Sequence, residues 1–156
     1  MNLPEIERRR YERYDTETKI SFVVNYDLNT KVSFRLVKEK SEKAKEYEGI
    51  TRNISAEGLR FGSRKKLQEL DKLYLELYLP RQKWPIRMTA EVRWSRKLPL
   101  KGLKGSTYET GVKLLTIGRI AVSDTIYFDK KYGVYWSGVL ESVFGNFKKL
   151  IPKIKK

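Results

Sequence analysis

A chain of 156 residues, 40% hydrophobic and 34% charged, is long enough to bury one core, and none of its apolar runs approaches the roughly 18 residues of a membrane span. Cysteine and histidine are both absent, which excludes a disulfide framework, thiolate chemistry, imidazole-based triads and the common zinc ligands. A formal net charge of +15 points to an anionic partner, whether nucleic acid, nucleotide or acidic membrane surface, and charge alone does not choose among them.

Carboxylate and lysine chemistry remain, but Asp27, Glu91 and Asp124 show no paired spacing for acid–base work, so the chain reads as a binding protein and not an enzyme. Met1 to Glu5 lacks a basic stretch followed by an apolar core, so no secretory signal is read and a cytoplasmic location is expected.

The first feature in the chain is Glu7-Arg8-Arg9-Arg10-Tyr11-Glu12-Arg13-Tyr14, where four arginines interleave with Glu5, Glu7, Glu12 and Asp15. The segment is close to neutral, so arginine serves here for its planar fork of donors, which lysine lacks. Read alone, it is equally a solvated arm whose arginines pair with their own glutamates.

Ile20, Phe22, Val24, Tyr26 and Leu28 then alternate as a half-buried strand; Asn29-Thr30 offers a turn, and Val32, Phe34 and Leu36 repeat the alternation, which predicts a hairpin. The stretch from Lys38 to Glu48 is charged and reads as an exposed loop, with a short solvated helix over Lys38 to Lys45 left open. Tyr47 to Gly62 reads as two β fragments around a tight connection. Leu73, Leu75, Leu77 and Leu79 form a strand that Pro80 stops, and Ile86, Met88, Ala90, Val92 and Trp94 form another, which places Trp94 in the core, with the lining of a ligand pocket as its alternative. Pro99 to Gly105 is a loop, and Tyr108 to Leu114 is the last strand of the series, with Gly111 available for a bulge or a close backbone approach.

Strands at this spacing, without a βαβ rhythm, suggest a small barrel or sandwich. Beyond Gly118 a short helix is expected over Ile120 to Phe128, ending near Gly133. A second is expected from Tyr135 to Ile151, with Trp136, Val139, Leu140, Val143, Phe144, Phe147, Leu150 and Ile151 at helical spacing. The tail carries five lysines in its last nine residues. The C-terminal helix either caps an open end of the barrel or, as an amphipathic and lysine-tailed element over 134–156, docks a partner or an anionic membrane.

Two motifs carry candidate chemistry. One is Arg9-Arg10-Tyr11-Glu12-Arg13, and the other is Asn53-Ile54-Ser55-Ala56-Glu57-Gly58, which on its own also reads as a turn or a glycosylation sequon. Together, in this order and in a β-rich context, they resemble the PilZ family, whose pattern is an RxxxR segment ahead of a six-stranded barrel and a (D/N)xSxxG turn at a strand junction. Arg9 and Arg13 match the first motif, and Asn53, Ser55 and Gly58 match the second, Asn53 standing where many members carry Asp. The resemblance covers about residues 7 to 130.

It implies an all-β fold with appended C-terminal helices: an arginine-rich ligand-clamping arm over 1–15, a six-stranded antiparallel PilZ-type barrel over 16–117, and a helical segment with a basic tail over 118–156. It also implies binding of cyclic di-GMP. The residues suit that ligand: the arginines fork onto phosphate and stack on guanine, Asn53 reads a guanine edge, Ser55 adds a hydroxyl, and Gly58 lets backbone come close. Arg8, and with it Arg10 in the same cluster, joins the candidate ligand-binding set, and an arginine preceding the pair implies two ligands per chain.

The expected action is an arm that folds over the barrel mouth on binding, making a surface for a downstream protein partner. The glutamates between the arginines would hold the arm soluble until the ligand arrives. The competing class, a small basic barrel that binds single-stranded nucleic acid, predicts a steep salt dependence of affinity where a compact dianion predicts a shallow one.

Overall fold

The computed structural model describes residues 24–39, 45–98 and 107–145. Outside them lie the arginine segment with Arg8, Arg9, Arg10 and Arg13, the start of the first expected strand, residues 40–44 of the charged stretch, the Pro99 to Gly105 loop and everything after Gly145.

After a two-residue strand, β1 (Tyr26–Asp27), come the six strands of a closed antiparallel barrel: β2 (Lys31–Leu36), β3 (Tyr47–Ile54), β4 (Gly58–Ser63), β5 (Lys72–Tyr78), β6 (Ile86–Leu98) and β7 (Thr107–Ile117). The order around the ring is β3-β2-β5-β6-β7-β4, and β4 pairs back onto β3. Closure leaves none of these six with an unpaired edge, and the alternation puts Val32 and Phe34, Leu73, Leu75 and Leu77, Phe61, and Ala90 and Val92 inside.

The expected hairpin at Asn29-Thr30 is not formed. β1 pairs with β3 (Tyr26 opposite Ile54), and β2 continues along the same side of β3 (Lys31 opposite Ile50). The side chain that joins them is Thr51. Its Oγ1 accepts from the Thr30 N–H at 2.9 Å and donates to the Leu28 carbonyl at 2.7 Å, while its N–H donates to the Thr30 carbonyl at 2.9 Å. Asn29-Thr30 is therefore an irregularity in one long strand, satisfied by a residue 21 positions away.

Trp94 is also not in the core. The β6–β7 register shifts between Val92 and Trp94, so Val92 faces Val112 inside while Trp94 stands opposite Gly111 on the outer face, 36% exposed. One extra residue in a strand reverses the side on which every later side chain falls. Gly111 does allow the close approach read from sequence, since a Cβ there would lie 2.4 Å from Trp94 Cε2.

The first C-terminal helix is replaced by β8 (Ile120–Ala121), a 3-10 turn (Val122–Thr125) and a small hairpin of β9 (Tyr127–Asp129) with β10 (Val134–Trp136), turned by Gly133 at φ 66°. Ile120 and Ala121 pair with β7, and that ladder, together with the buried Val122, outcompetes a free-standing helix. The second helix is α1 (Gly138–Phe144), beginning later than expected, and the part of the expected helix beyond Gly145 lies outside the described residues. Ser137 caps it by accepting from the Leu140 N–H, and Gly145 at φ 88° ends it. Trp136, Val139 and Leu140 are fully buried in the barrel's core cluster, so their apolar surface is spent on capping the barrel; residues 146–156 of the expected docking segment lie outside the described residues. No helix among the described residues is long and apolar enough to cross a membrane.

Tyr26 joins this cap to the barrel, its ring edge-on to Trp136 with centroids 5.8 Å apart and tilted against Phe144 at 5.5 Å. Burial pushes its phenol above the ordinary value of 10.0. A raised folded value means that the stabilising contribution is complete below the unfolded pKa and is lost as pH rises through the folded one. Tyr127, raised by burial and then by Glu141 and Asp129, acts in the same direction, as does Lys31 through its hydrogen bond and attraction to Glu48. Thermal melts should fall above about pH 10, and Tyr26→Phe should flatten that fall; identical alkaline slopes would show that Tyr26 does not contribute.

Candidate functional site

The connection from β3 to β4 holds the Asn53-to-Gly58 motif, and its geometry follows from two reciprocal bonds. The Ser55 N–H donates to the Gly58 carbonyl at 2.9 Å, and the Gly58 N–H donates to Ser55 Oγ at 3.1 Å. The Leu114 N–H then donates to the Glu57 carbonyl at 2.7 Å, pinning the turn to β7. A Cβ at Gly58 would sit 3.2 Å from Ser55 Oγ, so glycine and serine fit each other inside the turn, where Ser55 is buried. Of the three motif residues described, Asn53 is the one that reaches the outer face to make a side-chain contact there.

Asn53 reaches that face through a bulge. The β3–β4 register shifts between Thr51 and Asn53; Thr51 stays buried, so Arg52 and Asn53 are both turned outward in succession. Asn53 pairs with Arg60 across the ladder, and its Oδ1 accepts from Arg60 Nε at 3.2 Å.

Arg60 belongs to a larger arrangement centred on Glu109 of β7, whose carboxylate is met by arginines from three other strands. Arg96 Nη2 donates to Oε1 at 3.1 Å, Arg60 Nη1 lies 3.7 Å from Oε1, and Arg52 Nε lies 3.5 Å from Oε2. The wall beneath is bare of side chains where it needs to be. Gly62 stands opposite Glu109, and Gly111 stands opposite Arg60. Trp94 lies over Gly111, and the Arg96 guanidinium lies 5.1 Å from the Trp94 ring centroid.

Beside Arg52 runs an open groove of about 1190 Å³, lined in part by Asp27, Lys45, Tyr47, Arg64 and Lys65. The Lys45 and Lys65 ammonium groups sit over the Tyr47 ring at 5.4 and 5.2 Å. Asn53, Ser55 and Gly58 do not line this groove; Arg52 is where it meets them. No group of three or more metal-ligating side chains occurs among the described residues.

The structure thus brings Asn53, Ser55 and Gly58 together at one turn, while Arg8, Arg9, Arg10 and Arg13 lie outside the described residues. Sequence reasoning missed Arg52, Arg60, Arg96 and Glu109. Arg52 and Arg60 had a signal, since both sit on polar alternates next to the motif; Arg96 and Glu109 had none, because their meeting depends on the β6–β7 register.

The family model described as PilZ domain matches residues 7–124. Among solved structures the chain is similar to the Bacillus subtilis inhibitor of motility MotI/DgrA, at 21% identity over 65% of this chain and 46% of that one, with a TM-score of 0.47. It is also similar to the PilZ domain of YcgR from Escherichia coli, solved with c-di-GMP, at 12% identity over 90% of this chain and 99% of that one, with a TM-score of 0.47. The chain spans less than half the length of the Bacillus protein. No match was found among curated proteins.

Proposed function

The chain belongs to the PilZ domain family, and from that premise we propose that it is a receptor for cyclic di-GMP, binding the ligand without catalysis of its own. The observation that carries the reading is Asn53, held outward by the β3 bulge with its side chain already aligned against a guanidinium, at the turn that Ser55 and Gly58 close. An amide that both donates and accepts suits a guanine edge, and the guanidinium cluster beside it suits phosphodiester oxygens. Arg9 and Arg13 complete the clamp from the N-terminal arm, with Arg10 beside them. The arm orders on binding, and the ordered surface is what a downstream protein reads. Arg8 serves a second ligand molecule.

Calorimetric titration with cyclic di-GMP, GMP, cyclic GMP and a single-stranded oligonucleotide tests this. Cyclic di-GMP should bind in preference to the other three, with a shallow salt dependence; absence of that preference would overturn the reading, and a steep salt slope with the oligonucleotide would favour nucleic-acid binding. The same titration reads stoichiometry: two ligands in the wild type and one in Arg8→Leu are expected, and one in both removes the second-ligand assignment.

A further inference from the structure

We infer that Arg52, Arg60 and Arg96 form a second phosphate-binding subsite on the barrel wall, held in shape by Glu109 as a positioning residue, and that it takes one phosphodiester of the bound nucleotide. The inference rests on the cyclic di-GMP reading above.

Charge is the first argument. Three guanidiniums share one carboxylate, so the cluster carries 3 − 1 = 2 positive charges in excess. Neutralising Glu109 needs one arginine; the other two add mutual repulsion that the single negative charge of an incoming phosphodiester relieves in part. Donor capacity is the second. A guanidinium has five N–H donors and a carboxylate about four acceptor sites, so most of the donors in the cluster are not used by Glu109. Their exposure agrees: the Glu109 side chain is 8% exposed, whereas those of Arg52, Arg60 and Arg96 are 47%, 43% and 65% exposed.

Shape is the third argument. Gly62 leaves the wall flat under Arg52, whose Nε passes 4.0 Å from where a Gly62 Cβ would stand, while the Trp94 ring covers Gly111 beneath Arg96. Asn53 links the fan to the motif by holding Arg60 through Nε, while Arg60 Nη1 faces Glu109. Had the cluster served only to knit β3, β4, β6 and β7 together, the arginines would matter for stability and not for ligand.

The test titrates cyclic di-GMP into the full chain at several salt concentrations for wild type, Arg52→Gln, Arg96→Gln and Arg96→Lys, with thermal melts of each. Both glutamine variants should bind about tenfold more weakly with a reduced salt slope and little change in melting, and Arg96→Lys should keep the slope while losing affinity, because its charge remains and its fork does not. Unchanged affinity and slope in the glutamine variants of a chain that binds in its wild-type form would overturn the inference and leave the receptor reading intact. Failure of the wild type to bind would overturn both. If a glutamine variant does not fold, Arg96→Lys decides: unchanged affinity overturns the subsite, and weakened affinity supports it.

Discussion

Gly49→Ala is expected to open the barrel where its ring closes, at a cost of about 3 kcal/mol, and to lower the melting temperature by roughly 10 °C. Gly49 lies in β3 opposite Ser63 of β4, and a Cβ built on it would stand 2.4 Å from the Gly62 carbonyl oxygen. That oxygen is backbone, in the ladder that joins the last strand of the ring to the first, so it has no rotamer through which to yield. The two strands have to separate, and the hydrogen bonds beside the contact stretch with them. Gly62→Ala is the control. Its Cβ would find nothing nearer than the Tyr108 carbonyl oxygen at 3.8 Å and Arg52 Nε at 4.0 Å, so its cost should stay below about 1 kcal/mol. Equal melting temperatures for the two variants, measured by circular dichroism, would show that the β3–β4 seam tolerates displacement and that closure contributes little to stability.

The barrel was legible because its strands alternate strictly where they are regular. Leu73, Leu75 and Leu77, like Val32, Phe34 and Leu36, name their own inward face. Departures from regularity were not legible, and each has a nonlocal cause. Trp94 keeps the parity of Val92 in the sequence and loses it in the fold, because a bulge intervenes and the bulge is a property of the β6–β7 pair. Asn29-Thr30 has turn chemistry, but the Thr51 hydroxyl binds it into the ladder from a distant strand. Ile120 to Phe128 has no strong period of its own, so pairing with β7 and the β9–β10 hairpin decides its conformation.

The candidate site divides in the same way. The motif residues announce a turn, and a turn is local. Glu109 is one of nineteen acidic residues in a list and becomes distinctive only when the register sets three arginines around it. Its burial reflects this placement: it stands opposite Gly62 on the outer face, and the guanidiniums above it cover it.

Alanine at Arg9 or at Arg13 is expected to weaken cyclic di-GMP binding by about 2 kcal/mol each, roughly thirtyfold, the scale of a lost charge-assisted bond to phosphate. Asn53→Ala should cost less directly, yet it also releases Arg60, whose Nε it now holds, so its effect should reach beyond one hydrogen bond. Because arm and turn are proposed to grip one ligand, Arg13→Ala and Asn53→Ala should be non-additive in a double-mutant cycle, by about 0.5 kcal/mol or more. Glu7→Gln and Glu12→Gln should tighten binding, since each removes an anion that competes for the same guanidiniums. These results separate the arm from the wall. If the arm variants bind as the wild type does while Arg52→Gln and Arg96→Gln bind weakly, the ligand rests on the barrel face alone, and no closing of the N-terminal segment is needed for recognition. If both sets weaken, the ligand is held from two sides, and ordering of the arm becomes the event that a partner can sense.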